Sequence, residues 1–308
     1  MRRLGLLLVL LVLVGGLIGW IITAPQTVSE QRLAAMPPGD AARGKLVFLA
    51  SGCASCHAAE KAQGDAKLVL AGGYRFETPF GTFLAPNISS DKTHGIGDWT
   101  LAQFANAVLR GVTPDGSHYY PAFPYAAYQN MTDQDVSDLY VYMKTLPADA
   151  TPSKPHEVGF PFNIRRGLGV WKALNVKNGW VVADVPKGVD DKAQFERGRY
   201  LVEVLAHCGE CHTPRDALGG MKRDQWMAGA AAPHGKGRIP NITPHETGIG
   251  SWSKQDIIYS LETGFTPEFD SFGSTMADVQ LNMAQLPASD REAIALYLKS
   301  LPGLQTAK

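Results

Sequence analysis

Apolar positions gather first at the amino terminus, where Leu4 to Thr23 runs 20 residues without a charge behind Arg2 and Arg3. At about 1.5 Å per helical residue the run measures about 30 Å, one hydrocarbon core. A cleaved secretory signal shares the arginine-then-apolar order, but its apolar core is only about 7–15 residues and it exits through small residues. Here the exit reads Ile22-Thr23-Ala24-Pro25. Residues 1–24 are therefore expected to stay as a single-pass membrane anchor, with the arginines cytoplasmic and the remaining chain outside. No second apolar run of that length follows.

Beyond the anchor the apolar spacing turns helical, interrupted by long loops rich in Gly and Pro. A helix is expected over roughly Asp40 to Ala50, closed by Gly52. Another follows Trp99, with Leu101, Phe104, Ala105 and Val108 on one face. A third begins at the Thr132-Asp133 cap and buries Val136, Leu139, Tyr140 and Met143. Its counterpart starts near Ser289 and carries Ile294, Tyr297 and Leu298. Strand-like alternation is scarce, so the fold class is all-α. Loops this long in a compact domain commonly wrap something.

That counterpart belongs to a duplication. Arg43-Gly44-Lys45-Leu46 returns as Arg197-Gly198-Arg199-Tyr200, and Cys53-Ala54-Ser55-Cys56-His57 as Cys208-Gly209-Glu210-Cys211-His212. Pro86-Asn87-Ile88-Ser89 returns as Pro240-Asn241-Ile242-Thr243, and Gly95-Ile96-Gly97-Asp98-Trp99 as Gly248-Ile249-Gly250-Ser251-Trp252. The closing Tyr142-Met143-Lys144-Thr145-Leu146-Pro147 returns as Tyr297-Leu298-Lys299-Ser300-Leu301-Pro302. The shift stays between 153 and 155, too long a period for a solenoid and right for one domain duplicated. The expected order is an anchor (1–24), a first domain (37–150), a linker (151–190) and a second domain (191–304). The linker holds Lys154, Arg165, Arg166, Lys172, Lys177 and Lys187 against three acids, and reads as a packed connector.

Composition narrows the function classes. With 29 basic and 29 acidic side chains in 308 residues there is no global field to collect a polyanion, so no nucleic acid is expected as a partner. A 45% apolar, 19% charged chain is not a disordered one. Four cysteines at this length do not make a disulfide scaffold, and they fall in two pairs at three-residue spacing.

Each pair is followed at once by histidine. Two thiols one helical turn apart reach two vinyl groups on one porphyrin edge, and the next side chain projects an imidazole at the iron. A thioredoxin-like pair would need a βαβ setting, and a structural zinc site four convergent ligands; neither is present. Cys53, Cys56 and His57, and Cys208, Cys211 and His212, are therefore expected to hold two covalently bound haem c groups. Export to an oxidising compartment suits such ligation. The Asn-Ile-Ser and Asn-Ile-Thr sequons recur at haem-loop positions and are read as coincidental.

The succession of Arg-Gly helix, Cys-x-x-Cys-His, Pro-Asn-Ile-Ser/Thr, Gly-Ile-Gly-x-Trp, a Tyr-Pro-Ala loop and a Tyr-rich closing helix resembles class I cytochrome c domains. More closely it resembles the membrane-anchored multihaem cytochrome subunits of bacterial alcohol, gluconate and related periplasmic dehydrogenases. The resemblance covers about residues 40–304; those subunits often carry three haems, and this chain has motifs for two. It places the sixth ligand of the second haem at Met276, in Phe272-Gly273-Ser274-Thr275-Met276, with Met283 as the alternative. In the first copy the family's Tyr-Pro-Ala-Met-Pro-Tyr loop reads Tyr120-Pro121-Ala122-Phe123-Pro124-Tyr125, with Phe in the Met slot. Phe cannot ligate iron. Met131, His118 or no protein ligand remain for the first haem, Met131 also reading as a hydrophobic staple before the Thr132 cap. Asn87, Asn241, Trp99 and Trp252 are candidate donors to haem propionates, or plain packing residues.

The expected function is electron transfer at the periplasmic face of a bacterial cytoplasmic membrane. The donor would be a periplasmic dehydrogenase subunit or a quinol, the acceptor an oxidase or soluble cytochrome. The rival is a dihaem oxidoreductase, of peroxidase or thiosulfate type, acting at an open first haem; no Arg–His or additional Cys constellation supports it.

Overall fold

The computed structural model describes residues 2–232 and 237–307. Helix α1 (Arg2–Ile22) holds the apolar amino terminus. Its described large apolar side chains are 45–69% exposed. Among the described residues no helix is long and apolar enough to cross a membrane. Leu4 to Ile22 carries no charge. The short α2 (Glu30–Ala34), capped by Ser29, brings Arg32 to Asp133 at 2.7 Å.

The first copy comprises α3 (Ala41–Ala50), α4 (Cys53–His57), the hairpin β1 (Arg75–Thr78) and β2 (Gly81–Leu84), α5 (Leu101–Arg110), α6 (Tyr125–Tyr128) and α7 (Asp133–Met143). After the connector helix α8 (Leu168–Asn175), the second copy runs α9 (Lys192–Tyr200), α10 (Gly209–His212), β3 (Ala230–Ala231), β4 (Arg238–Ile239), α11 (Lys254–Thr263), α12 (Thr275–Met283) and α13 (Ala288–Lys299). The helices expected from the sequence form near their anticipated bounds. Asp40 caps α3 and Thr132 caps α7 through side-chain oxygens, and α13 begins at Ala288, next to Ser289, behind Pro287. The two hairpins are additions to an otherwise helical chain; both are antiparallel, Arg75 facing Leu84 and Ala230 facing Ile239.

The repeated Arg-Gly pair now has a cause. Helix α3 packs on α7, and α9 on α13. At the crossings Gly44 lies against the Asp138 carbonyl and Gly198 against the Ala293 carbonyl, where any Cβ would overlap backbone. The adjoining arginines seal each crossing: Arg43 donates to Asp138 from Nε at 2.7 Å, and Arg197 makes a two-pronged pair with Asp290 at 2.8 Å.

The closing helices also hold the Gly-Ile-Gly-x-Trp loops. Lys144 donates to the carbonyls of Ile96 (3.3 Å), Gly97 and Trp99 (2.9 Å); Lys299 does the same to Ile249 (3.3 Å), Gly250 (3.1 Å) and Trp252 (2.6 Å). One ammonium satisfies three loop carbonyls that have no helix or sheet partner. Two groups of contacts tie in the segment 151–190. Buried Glu203 accepts the Val181 and Val182 N–H groups, and Lys172 donates to the carbonyls of Arg110 and Gly111 that end α5.

Candidate functional site

A left-handed residue launches each cysteine helix. Gly52 (φ 60°) turns the chain from α3 into α4, and His207 (φ 38°) does so before Cys208. The turn puts Cys53, Cys56 and His57 into a single helical turn, and Cys208, Cys211 and His212 likewise. None of the four cysteines is in a disulfide. Burial pushes the Cys53 and Cys208 thiols up to about 12 and Cys56 up to about 11, so they stay neutral at physiological pH.

Each histidine is aimed by a carbonyl. His57 Nδ1 lies 2.9 Å from the Pro86 oxygen, and His212 Nδ1 lies 2.8 Å from the Pro240 oxygen. A carbonyl only accepts, so Nδ1 carries the proton and Nε2 is left as the lone-pair nitrogen. Burial depresses both histidine pKa values, and the proline carbonyls only partly offset it. This is the outer-shell hydrogen bond that fixes a ligating imidazole's tautomer and ring plane. The loop that brings the carbonyl in is tied back to the histidine: the Gly72 N–H donates to His57 O at 2.8 Å, and the Gly229 N–H to His212 O at 2.8 Å. At Gly72 (φ 78°) a Cβ would sit 2.5 Å from the Ala85 oxygen and 2.6 Å from Pro86. Pro86 and Pro240 escaped the sequence reading because they act through backbone oxygen, although the repeated Pro-Asn-Ile text marks them.

Haem c fits these residues. Two unpaired thiols and an imidazole with a fixed Nδ1 proton and a free Nε2 are the donor set that covalent attachment and axial ligation require. The sixth-ligand candidates separate clearly. Met276 sits in the first turn of α12, half-buried against the core, just after Ser274 (φ 52°). Met283 closes the same helix, 3% exposed, within the core. Phe123 is surrounded by rings, with centroids at 5.6 Å to Tyr119 and 5.9 Å to Tyr128. Met131 is 2% exposed in the core, its N–H bonded to Tyr128 O just as the Leu286 N–H is bonded to Met283 O. Met131 thus takes the place of a leucine, ahead of the closing helix. His118 is turned elsewhere: its Nε2 lies 2.9 Å from the Thr23 carbonyl at the end of α1.

The asparagines have structural work. Asn87 Nδ2 donates to the Asp149 and Thr151 carbonyls at 2.8 Å, and its Oδ1 accepts from the Ser89 N–H. Asn241 repeats this with Leu304 O and the Thr243 N–H. Their amides are thereby spent on pinning the loop to the segment after each closing helix, which corrects the propionate expectation for both. Trp99 and Trp252 pack at the edge of the core.

Contacts between the copies link the neighbourhoods of the two attachment motifs. Lys67, after α4, pairs with Asp278 of α12 at 2.6 Å. Tyr128 stacks edge-on to His207 at 5.5 Å and donates to Ser51 O at 3.2 Å, joining the residues that precede the two cysteine helices. Cys211 lies within electrostatic range of Cys56.

Paired thioether attachment beside a helix-borne axial histidine separates c-type cytochromes from other haem proteins, and this chain offers that arrangement twice. The cytochrome c family matches residues 41–147. Over 96% of its length the chain is 50% identical to a dihaem c-type cytochrome of Cereibacter sphaeroides, covering 97% of that protein. It is 43% identical to the fructose dehydrogenase cytochrome subunit of Gluconobacter japonicus over 84% of this chain and 52% of that subunit. It is 35% identical to the cytochrome c subunit of the quinone alcohol dehydrogenase of Gluconobacter oxydans over 86% of this chain and 55% of that subunit. The chain therefore spans about half the length of those two dehydrogenase subunits. It belongs to the dihaem c-type cytochromes and carries two covalently bound haem c groups.

Proposed function

We propose that this cytochrome transfers electrons from a periplasmic dehydrogenase subunit or a quinol to an oxidase or a soluble cytochrome, held at the outer face of a bacterial cytoplasmic membrane by α1. Each copy forms a cytochrome c domain, 37–150 and 191–304, joined by the 151–190 connector. The observation that carries the reading is the pair of equally built motifs, each with its own histidine–proline lock, linked through the Tyr128–His207 contact. Two linked centres suit relay rather than independent chemistry.

When bound, haem c supplies a reversible one-electron iron couple. The chain's residues hold and tune it. Cys53 and Cys56, and Cys208 and Cys211, are the attachment thiols; His57 and His212 are the axial imidazoles; Met276 supplies the second thioether ligand, which raises potential and closes the iron to small ligands. The Met131 position, matched to Leu286, supports a first centre without a strong sixth ligand. Uncharged Leu4–Ile22, exposed throughout its described side chains, supports the anchor.

The experiment is anaerobic. Two haems per chain by pyridine haemochrome, reduction by a quinol and oxidation by soluble cytochrome c support the reading. A second reading, an oxidoreductase acting at the first haem, is favoured by Phe123 in the methionine slot. Steady peroxide turnover by the reduced protein, with no electron transfer to soluble cytochrome c, decides for it.

A further inference from the structure

Among the large apolar side chains exposed outside α1, five fall within one stretch: Phe160 (81%), Phe162 (45%), Ile164 (53%), Val170 (51%) and Leu174 (53%). Single exposed apolar residues need no explanation, but five within 15 residues form a patch that does. Val170 and Leu174 stand four apart on α8 and so share its outer face, while Gly169 turns inward.

The stretch is fastened to the end of α1. Gly169 lies against Thr23, where a Cβ would overlap the Thr23 carbonyl. Arg166 donates to the Trp20 carbonyl and stacks over the Trp20 ring, its guanidinium carbon 4.0 Å from the centroid. Arg165 donates to the His118 carbonyl at 3.1 Å, and His118 in turn binds Thr23. Among the described residues neither arginine is in a salt bridge, although Asp115 lies within the field of Arg165. Trp20 is where an interfacial tryptophan belongs on a helix leaving a bilayer.

We propose that this stretch, residues 160–174, lies on the membrane as a second, interfacial contact, with its apolar side chains in the acyl boundary and Arg165 and Arg166 facing anionic phospholipid headgroups. The proposal rests on α1 being a membrane anchor, and its occupant is the lipid surface α1 enters. Continuity with the end of α1 and the unpaired positive charge argue for lipid over a protein partner. One helix alone leaves the haem domains free to swing. A second contact on the same surface fixes which face they present, and so which centre stands nearer the membrane.

The native cysteines are consumed by haem attachment, so a single introduced cysteine can carry a nitroxide. Full-length holoprotein labelled at Leu10→Cys, Phe160→Cys or Leu174→Cys is placed in vesicles of phosphatidylcholine and phosphatidylglycerol. Accessibility to oxygen and to a water-soluble nickel chelate is then read for each label. Lipid-type accessibility at all three positions is expected, with nickel access at 160 and 174 several-fold below that of the same protein in detergent-free buffer with amphipol. Replacing Arg165 and Arg166 by Gln should return 160 and 174 toward water while leaving position 10 in lipid. Lipid contact at 10 with water contact at 160 and 174 overturns the proposal and leaves the anchor standing. Shielding of 160 and 174 from both reagents means a protein covers the patch, and overturns it too. Water contact at 10 removes the anchor and the proposal together.

Discussion

The Asn282 side-chain amide donates to the Ser55 hydroxyl at 3.0 Å, tying the end of α12 in the second copy to the middle of the first Cys-Ala-Ser-Cys-His turn. Met276 begins that same helix. The helix that carries Met276 is therefore braced on the first copy's attachment turn, with Lys67–Asp278 as a second strut.

Asn282→Ala is expected to lower stability by about 0.5–1.5 kcal/mol, the usual net worth of one hydrogen bond. Denaturant midpoints of the holoprotein measure this. Because the lost contact lies between the copies, Asn282→Ala combined with Lys67→Ala should separate a single unfolding transition into two. Coincident loss of both haem signals in the double variant would show that the junction is held by packing alone.

The attachment turns were legible because their chemistry requires side chains at fixed spacing. The caps at Asp40 and Thr132 were legible for the same reason: a short polar side chain ahead of an apolar period. What stayed hidden acts through backbone. The Pro86 and Pro240 carbonyls, and the loop carbonyls gathered by Lys144 and Lys299, leave no mark in residue type beyond their repetition. Asn87 and Asn241 show the converse, where residues suited to a cofactor were drawn into holding loops because those loops have no ladder of their own. Met131, which the sequence offers both as a sixth ligand for the first haem and as a staple before the Thr132 cap, aligns at a shift of 155 with Leu286.

The histidine locks can be opened one at a time. Gly72→Ala forces a Cβ against the strand end that carries Pro86, at a φ that favours glycine. Gly229→Ala, with a Cβ 2.8 Å from the Ile239 oxygen, does the same near Pro240. Each should perturb only its own centre, lowering imidazole basicity and shifting one of two potentials in a redox titration. Equal shifts in both centres from either variant would disprove independent locks.

Acid stability should report Asp138. Burial pushes its carboxyl up, but hydrogen bonds from Arg43, the Asp40 N–H and Gln134 outweigh it and hold the pKa below the ordinary 3.8. A depressed folded-state pKa contributes stability that is complete above the unfolded value, near pH 4, and is lost as pH falls through the folded value. Asp138→Asn should therefore weaken the protein at neutral pH and flatten the fall in stability below pH 4, followed by ellipticity against denaturant at each pH. An unchanged acid slope would mean the pair contributes nothing through protonation.

The two centres should differ in their sixth ligand. Met276 is presented by a helix in the second copy, whereas Phe123 fills that slot in the first and Met131 packs where the second copy has Leu286. The second centre is thus expected to be His212/Met276, with the higher potential and no carbon monoxide binding, and the first, on His57, lower in potential and open to carbon monoxide. Met276→Ala should lower the second potential and double the carbon monoxide bound per chain. Phe123→Met should raise the first potential and suppress binding there, provided the aromatic cluster of Tyr119 and Tyr128 admits the thioether. Met131→Ala discriminates most sharply. As a packing residue it costs about 2–5 kcal/mol and leaves both spectra in place; as a ligand it removes one His/Met spectrum from a protein that began with two. Should neither iron bind carbon monoxide while Met131→Ala changes no spectrum, His118→Ala becomes decisive, since only its release from Thr23 could then free a protein ligand for the first centre.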